Sequence, residues 1–287
     1  MKVAITGGTG FIGSNLATLF DNPTICDVKH RGVPDVFTPQ ELLDMIHVGS
    51  EIDAIYHLGA ISSTTETNTG ALASNNIMFS CQLLEACISR NIPFVYASSA
   101  SVYGLGELGF SEDSPTNPLN YYAISKVAFD MFVKQKILDH PHAKIIGLRY
   151  FNVYGHNEDH KLDMASPVHK FFEQAKSGKI KVFEGSVAFL RDFVHVSDAA
   201  EITKAAVGFM PGIYNVGTGG ARSFLDVAKI ISSLTGAEIE EIPFPRHLAG
   251  KYQDFTCSDN DEINMFYRRD RISLEDGIRK VYEDRFC

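Results

Sequence analysis

The start of the chain constrains its fold most. Val3-Ala4-Ile5 is a short apolar run that breaks into Thr6-Gly7-Gly8-Thr9-Gly10-Phe11-Ile12-Gly13, and an apolar segment follows from Leu16 to Phe20. An apolar run of this kind suits a parallel strand buried on both faces. Glycines then allow a tight turn and a close approach of backbone to a ligand. Gly8, Gly10 and Gly13 fit G-x-G-x-x-G literally, and Gly7, Gly10 and Gly13 fit its wider-spaced variant. Either spacing sets a helix N-terminus, with free N–H groups and positive potential, where a pyrophosphate can sit. The strand-turn-helix order separates this from an ordinary glycine-rich loop.

Strands and helices then alternate. Thr24 to Asp27 reads as a second strand, and Asp27 lies where an acid holds adenosine ribose hydroxyls. Lys29, His30 and Arg31 follow at once and could hold a 2′-phosphate, so the choice between NAD and NADP stays open. Pro34 to Phe37 reads as a stunted strand and Gln40 to Val48 as a helix with Leu42, Leu43 and Ile46 on one face. Asp53 to Ala60 is a buried strand ending in small residues, with His57 a packed histidine. A helix from Ala71 to Arg90, a strand from Ile92 to Ala97, a helix to Leu138 and a strand from Ala143 to Leu148 complete the series. This alternation predicts an α/β fold with a Rossmann-like, doubly wound parallel sheet.

Tyr122 and Lys126 are four apart, so a helix puts them on one face. A fixed ammonium beside a phenol favours the phenolate, which predicts a lowered Tyr122 pKa and a side chain able to move protons. Ser98 and Ser99 end a strand, and a hydroxyl there points into the ligand crevice of an open parallel sheet. With no G-x-S-x-G elbow, these serines read as hydrogen-bonding groups and not nucleophiles.

Past Gly155 the character changes. A charged loop, His156 to Lys161, precedes a helix from Met164 to Lys176, short strands at Ile180–Glu184 and Phe189–Val196, and a helix from Asp198 to Val207. A strand from Ile213 to Gly217, a helix capped by Ser223, an extended stretch from Ile242 to Pro245 and a last helix capped by Ser273 follow. The division expected is an NAD(P)-binding domain over 1–160 and a smaller α/β substrate lobe over 161–287, with some elements crossing back. His156, Glu158, Asp159 and His160 do not make a metal site, because no further ligand is placed.

The net charge of −9 argues against a nucleic-acid partner. Five cysteines, with no C-x-x-C, read as reduced thiols. No apolar run approaches the ~20 residues of a membrane span. The first residues read directly into a strand, so no signal peptide is expected before it. These features place the protein in the cytoplasm with no membrane partner.

Several stretches together carry a resemblance. The glycine turn, Ala97-Ser98-Ser99, Tyr122-Ala-Ile-Ser-Lys126 and Arg149 to Gly155 resemble the extended short-chain dehydrogenase/reductases that act on nucleotide sugars. More specifically, His57 to Glu66, Gly155 through His160-Lys161 to Ser166, Phe183 to Ser186 with Arg191 to Val194, and Ile242-Pro-Phe-Pro245 through Tyr252 to Thr256 resemble the ADP-L-glycero-D-manno-heptose 6-epimerase family. The likeness runs nearly end to end.

That resemblance implies an enzyme that removes hydride from sugar carbon C6 to a tightly bound NADP or NAD, one per subunit, and returns it to the opposite face. It implies Tyr122 and Lys161 as the two proton-transfer groups, Ser99 as a hydrogen bonder and Lys126 as the residue that holds the nicotinamide ribose. Gly7, Gly10, Phe11, Ile12, Gly13, Asp27, Val28, Leu58, Gly59, Ala60, Ile61, Ser62, Asn75, Lys126, Val153 and Lys161 match cofactor positions. Ser99, Asn152, Asp163, Lys170, Phe183, Glu184, Gly185, Ser186, Arg191 and Tyr252 match substrate positions, with Arg191 as the diphosphate clamp. The family also implies a homo-oligomer.

Three departures stand out. The segment from Asp27 to Asp53 is shortened, Asp163 replaces a small hydroxyl residue, and Lys170 replaces a histidine. They bear on the cofactor and on the exact sugar or nucleotide. A nucleotide-hexose 4-epimerase, dehydratase or reductase is the alternative. The residues after Ser99 are Ala100 and Ser101, where a dehydratase carries an acidic pair. An inactive NAD(P)-binding regulator would have no need of Ser99, Tyr122, Lys126 and Lys161 together.

Overall fold

A computed structural model describes residues 1–29, 31–105, 109–245 and 254–286. The first half builds β1 (Val3–Thr6), α1 (Phe11–Ala17), β2 (Thr24–Cys26), α2 (Pro39–His47) and β3 (Ala54–His57). A long helix follows in three parts, α3 (Thr69–Leu72), a π-helical stretch (Ala73–Met78) and α4 (Phe79–Ser89). Then come β4 (Phe94–Ser99), α5 (Tyr121–Asp139), β5 (Ile145–Tyr150) and β6 (Asn152–Tyr154). The second half contains α6 (Pro167–Ala175), β7 (Lys179–Phe183), β8 (Leu190–His195), α7 (Val196–Ala205), β9 (Gly212–Val216) and β10 (Ala221–Ser223). It ends with α8 (Phe224–Thr235), β11 (Glu238–Ile242), α9 (Asp261–Asn264) and α10 (Leu274–Phe286).

Six parallel strands form the main sheet in the order β2-β1-β3-β4-β5-β9. One face is covered by α1, α7 and the Ile263–Tyr267 segment, with Leu16, Ile202 and Tyr267 in its core. The other is covered by α2, α4 and α5, with Leu42, Leu83 and Phe129. Truncating a buried leucine such as Leu16 or Leu83 costs ~2–5 kcal/mol. The sheet is therefore doubly wound, as the alternation requires.

At the sheet edge beyond β2 a single bridge follows among the described residues, with Phe37 N–H donating to Ile25 O and Asp27 N–H to Phe37 O. Thr38 then starts α2 with a capping box: its hydroxyl accepts from Glu41 N–H, and the Glu41 carboxylate accepts from Thr38 N–H. The stunted strand is thus one bridging residue wide.

Two small sheets, β10-β8-β6 and β11-β7, stand apart from the main sheet. They enclose a separate core of Phe172, Ile180, Phe193, Val227, Ile231 and Ile278. Residue 160 is not a clean seam in space. β6 precedes it and pairs with β8, whereas β9 and α7 follow it and belong to the main sheet and its cover. Ser223 caps α8 in a second capping box with Asp226. Among the described residues no helix is long and apolar enough to cross a membrane. Cys26, Cys81, Cys87 and Cys257 are free thiols.

Candidate active site

The carboxyl ends of β1, β2, β3 and β4 form one rim of the site. Gly7 turns the chain with φ +67°, and a Cβ there would meet Gly59 N at 2.7 Å, so the turns after β1 and β3 interlock. A Cβ on Gly13 would lie 2.0 Å from Gly7 O, so helix α1 packs this close to the turn only with glycine there. Thr6 Oγ1 accepts from Gly59 N–H at 3.0 Å and meets His57 Nδ1 at 2.6 Å. His57 is buried, its other ring nitrogen meets Ser80 Oγ at 2.8 Å, and burial, with Lys126 adding to it, holds its pKa down to about 3. It is a packed histidine.

At the end of β2 the Asp27 carboxylate accepts from Thr9 Oγ1 at 2.7 Å, Thr9 N–H at 3.2 Å and Lys29 N–H at 3.2 Å. Arg31 folds back and donates to Thr9 O at 2.9 Å. The acid and one cation of the β2 loop therefore both sit on the glycine turn. Val28 stands out at 71 % exposure. Ile12, Leu58 and Val153 are half-buried against the core, Gly59, Ala60 and Ile61 are half-buried, and Ser62 is exposed. Gly10 and Phe11 complete the turn, Phe11 being buried.

The π-helical stretch carries Asn75 and Asn76. Asn75 is exposed, and its amide donates to Ala71 O. Asn76 is buried and works harder: it accepts from Ile61 N–H and donates to Ile61 O and Ser125 Oγ. It thereby ties the loop after β3 to the helix that carries Tyr122. A π-bulge re-aims neighbouring side chains and often marks a functional site; the residue pair was visible in the sequence, the bulge was not.

Asn120 caps α5 by accepting from Ala123 N–H. Tyr122 and Lys126 are both buried, with the Lys126 ammonium 5.9 Å from the Tyr122 ring centre. Lys126 donates to Ala97 O at 2.8 Å, and burial, opposed by Asp130, brings its pKa down to about 8. The expected lowering of the Tyr122 pKa does not hold in this state. Burial raises it, a hydrogen bond from Ser99 works the other way, and Asp130 adds to the rise. The physical reason is that removing a phenolate from water outweighs a cation that lies at the ring and is itself desolvated.

Beneath α5 lies a buried polar network. Asp130 accepts from Arg149 Nε and Tyr96 OH, each at 2.9 Å, and Arg149 also donates to Tyr103 OH and Glu112 O. In the sequence Arg149 is only part of a family stretch; the structure makes it a brace for the Tyr122 helix.

The loop after β6 also reaches the glycine turn. Lys161 Nζ lies 4.5 Å from the Phe11 ring centre and donates to Glu158 Oε2 at 3.3 Å. Asp163 and Lys170 are exposed on the same side. Burial lowers the Lys170 pKa, Asp163 opposes this, and Lys161 adds to the lowering. Asp159, His169 and Glu173 gather close enough to suggest a metal, but Arg285 sits among them, donating to all three.

Further out, Asn152 Oδ1 accepts from Thr256 Oγ1 at 3.5 Å. Phe183, Glu184, Gly185 and Ser186 form a turn with Gly185 at φ +75° and Ser186 buried. Arg191 is buried, its guanidinium 5.4 Å from the Phe224 ring centre and donating to Leu190 O. Its neighbour Asp192 accepts five hydrogen bonds, from Thr218, Gly219 and Ser258. Tyr252 lies outside the described residues.

The glycine turn, Asp27 and a buried lysine whose described hydrogen bond is to a main-chain carbonyl fit a nicotinamide dinucleotide. Lys126 has donors to spare for ribose hydroxyls. With Ser99 and Tyr122 beside it, this is the site of a short-chain dehydrogenase/reductase.

The chain belongs to the NAD dependent epimerase/dehydratase family, whose model matches residues 3–217. It is similar to the ADP-L-glycero-D-manno-heptose-6-epimerase of Brachyspira hyodysenteriae, 37 % identical over 98 % of this chain and 96 % of the relative. The enzyme of that name from Alkalilimnicola ehrlichii is 38 % identical over 91 % of this chain and 90 % of the relative. In three dimensions the chain is similar to the crystal structure of the Helicobacter pylori ADP-L-glycero-D-manno-heptose-6-epimerase, with a TM-score of 0.85 at 28 % identity, over 99 % of this chain and 95 % of that one. It is thus an NAD-dependent nucleotide-sugar epimerase.

Proposed function

We propose that the enzyme interconverts the C6 epimers of an ADP-glycero-manno-heptose. One observation carries the two-sided chemistry: Lys161, on the loop after β6, reaches the Phe11 ring at the glycine turn, a second proton-transfer group on an element separate from the helix of Tyr122. Removing hydride from either face of one carbinol needs a proton acceptor on each side. Tyr122 serves one face, oriented by Ser99, and Lys161 the other. Lys126 holds the cofactor ribose. The bound nicotinamide supplies the hydride acceptor and donor. The remaining cofactor positions, from Gly7 to Val153, belong to the same reading.

Arg191 suits a diphosphate, since a guanidinium binds phosphate oxygens bidentately. Asn152, Asp163, Lys170 and the Phe183–Ser186 turn lie on the substrate side, and Asp163 with Lys170 are where the sugar contacts differ from the family pattern. The same reading makes the enzyme cytoplasmic and homo-oligomeric.

Proton NMR of purified protein with ADP-D-glycero-D-manno-heptose and no added cofactor is the test. Conversion to the L-glycero epimer supports the assignment and a tightly held cofactor. No conversion with NAD and NADP both supplied rejects it and points to another nucleotide sugar.

A further inference from the structure

The loop after β6 hides a carboxylate. Glu158 is 0 % exposed, although its neighbours Asp159 and His160 face solvent. Its Oε1 accepts from Gly155 N–H at 3.0 Å and Ser166 Oγ at 2.7 Å. Its Oε2 accepts from Ser166 N–H at 2.7 Å and Lys161 Nζ at 3.3 Å. A carboxylate offers about four acceptor sites, so this one is filled. A buried charge is costly unless it is paired. Among the described residues, Lys161 is the cation that donates to it.

Three of the four donors belong to fixed structure, the end of β6 and the cap of α6, where Ser166 Oγ also accepts from His169 N–H. They set the carboxylate's position without Lys161. The lysine is the adaptable arm, a flexible stem with its ammonium shared between this carboxylate and the Phe11 ring. The next residue, Leu162, takes φ +47° although it is not glycine. Such a conformation is strained and persists where surrounding bonds over-determine it. Here those bonds include an outer brace from α10. Asp284 pairs with His156, and Arg285 donates to Asp159, Glu173 and His169.

We propose that Glu158 is a positioning residue that fixes the Lys161 amine against the cofactor turn. It acts through Lys161 and touches no substrate. The proposal rests on the reading of Lys161 as a proton-transfer group, and the experiment separates the two.

Glu158→Gln puts an amide donor among donors and removes the charge that holds Lys161. Turnover should fall ~10²-fold, the cost of a small misplacement, with KM little changed. In Lys161→Met the same change should add almost nothing, because both act on one step. Glu158→Asp keeps the charge in the pocket and should restore part of the rate. Ser166→Ala removes a cap bond and one donor to Glu158 but keeps the charge, so it should lower thermal stability and cost kcat less than Glu158→Gln does. Competitive acetylation of the cofactor-bound protein with acetic anhydride, read by peptide mass spectrometry, needs no substrate. Lys161 should react several-fold faster in Glu158→Gln, with Lys29 as the internal reference.

If Lys161→Met leaves turnover intact, the reading of Lys161 fails and the acetylation result decides the positioning claim. Unchanged Lys161 acetylation in both Glu158 variants overturns it. So does a Glu158→Gln defect that is additive with Lys161→Met and matched by Ser166→Ala. Should Glu158→Gln not fold, Glu158→Asp carries the same comparisons with smaller effects.

Discussion

The two walls of the site are built differently. Tyr122 projects from a 19-residue helix packed on the main sheet, braced below by Asp130 and Arg149 and beside by Asn76. Lys161 stands on a short turn whose conformation depends on one buried carboxylate and on contacts from the last helix. One wall takes its precision from the core of the fold. The other takes it from a few polar contacts.

The largest effect should come from the rigid wall. Tyr122→Phe removes the phenolic proton and should lower kcat ~10³–10⁴-fold, within the range of general acid–base catalysis, with thermal stability kept. A loss below tenfold in steady-state assays would break the comparison. Lys161→Met should cost ~10²–10³-fold by the same measure.

Arg149→Met should destabilise the protein by ~3–5 kcal/mol in denaturant unfolding, because it leaves Asp130 buried and unpaired. A change under 1 kcal/mol would show that the network does not support the Tyr122 wall.

Acid should weaken both halves. His57, on the cofactor side, titrates at about 3, and His195, under the substrate lobe, at about 4, in each case chiefly because burial disfavours the charged ring. In the unfolded chain both take a proton near pH 6.5, so folding stability is full above that and falls as pH drops toward 4. Each contributes ~1.4 kcal/mol per pH unit across its window. Denaturant midpoints at pH 7 and pH 5 check this, and equal midpoints contradict it. Smallest of all, Ser223→Ala should cost ~1 kcal/mol in unfolding, through loss of the α8 capping box, and leave kcat unchanged.

Local chemistry made much of this legible in the sequence. The glycine turn, the cap at Ser223 and the strand-helix alternation are written within short windows, and the alternation led to the main sheet. What escaped depends on distant residues meeting. Glu158 reads as one more charge in a charged loop until Gly155, Lys161 and Ser166 close around it. The Tyr122 pKa followed burial and not the spacing to Lys126, because sequence spacing says which side chains share a face and nothing of how much water is lost there. Asn76 differs from Asn75 through a π-helical stretch that no residue pattern announces.

The most direct test of the two-wall account is a single-turnover measurement of nicotinamide reduction by stopped-flow absorbance, starting separately from each C6 epimer, in Tyr122→Phe and in Lys161→Met. The account predicts a complementary pattern: each variant fails to oxidise one epimer and still oxidises the other. If one variant blocks both epimers and the other blocks neither, a single wall does all the proton transfer, and the account is wrong.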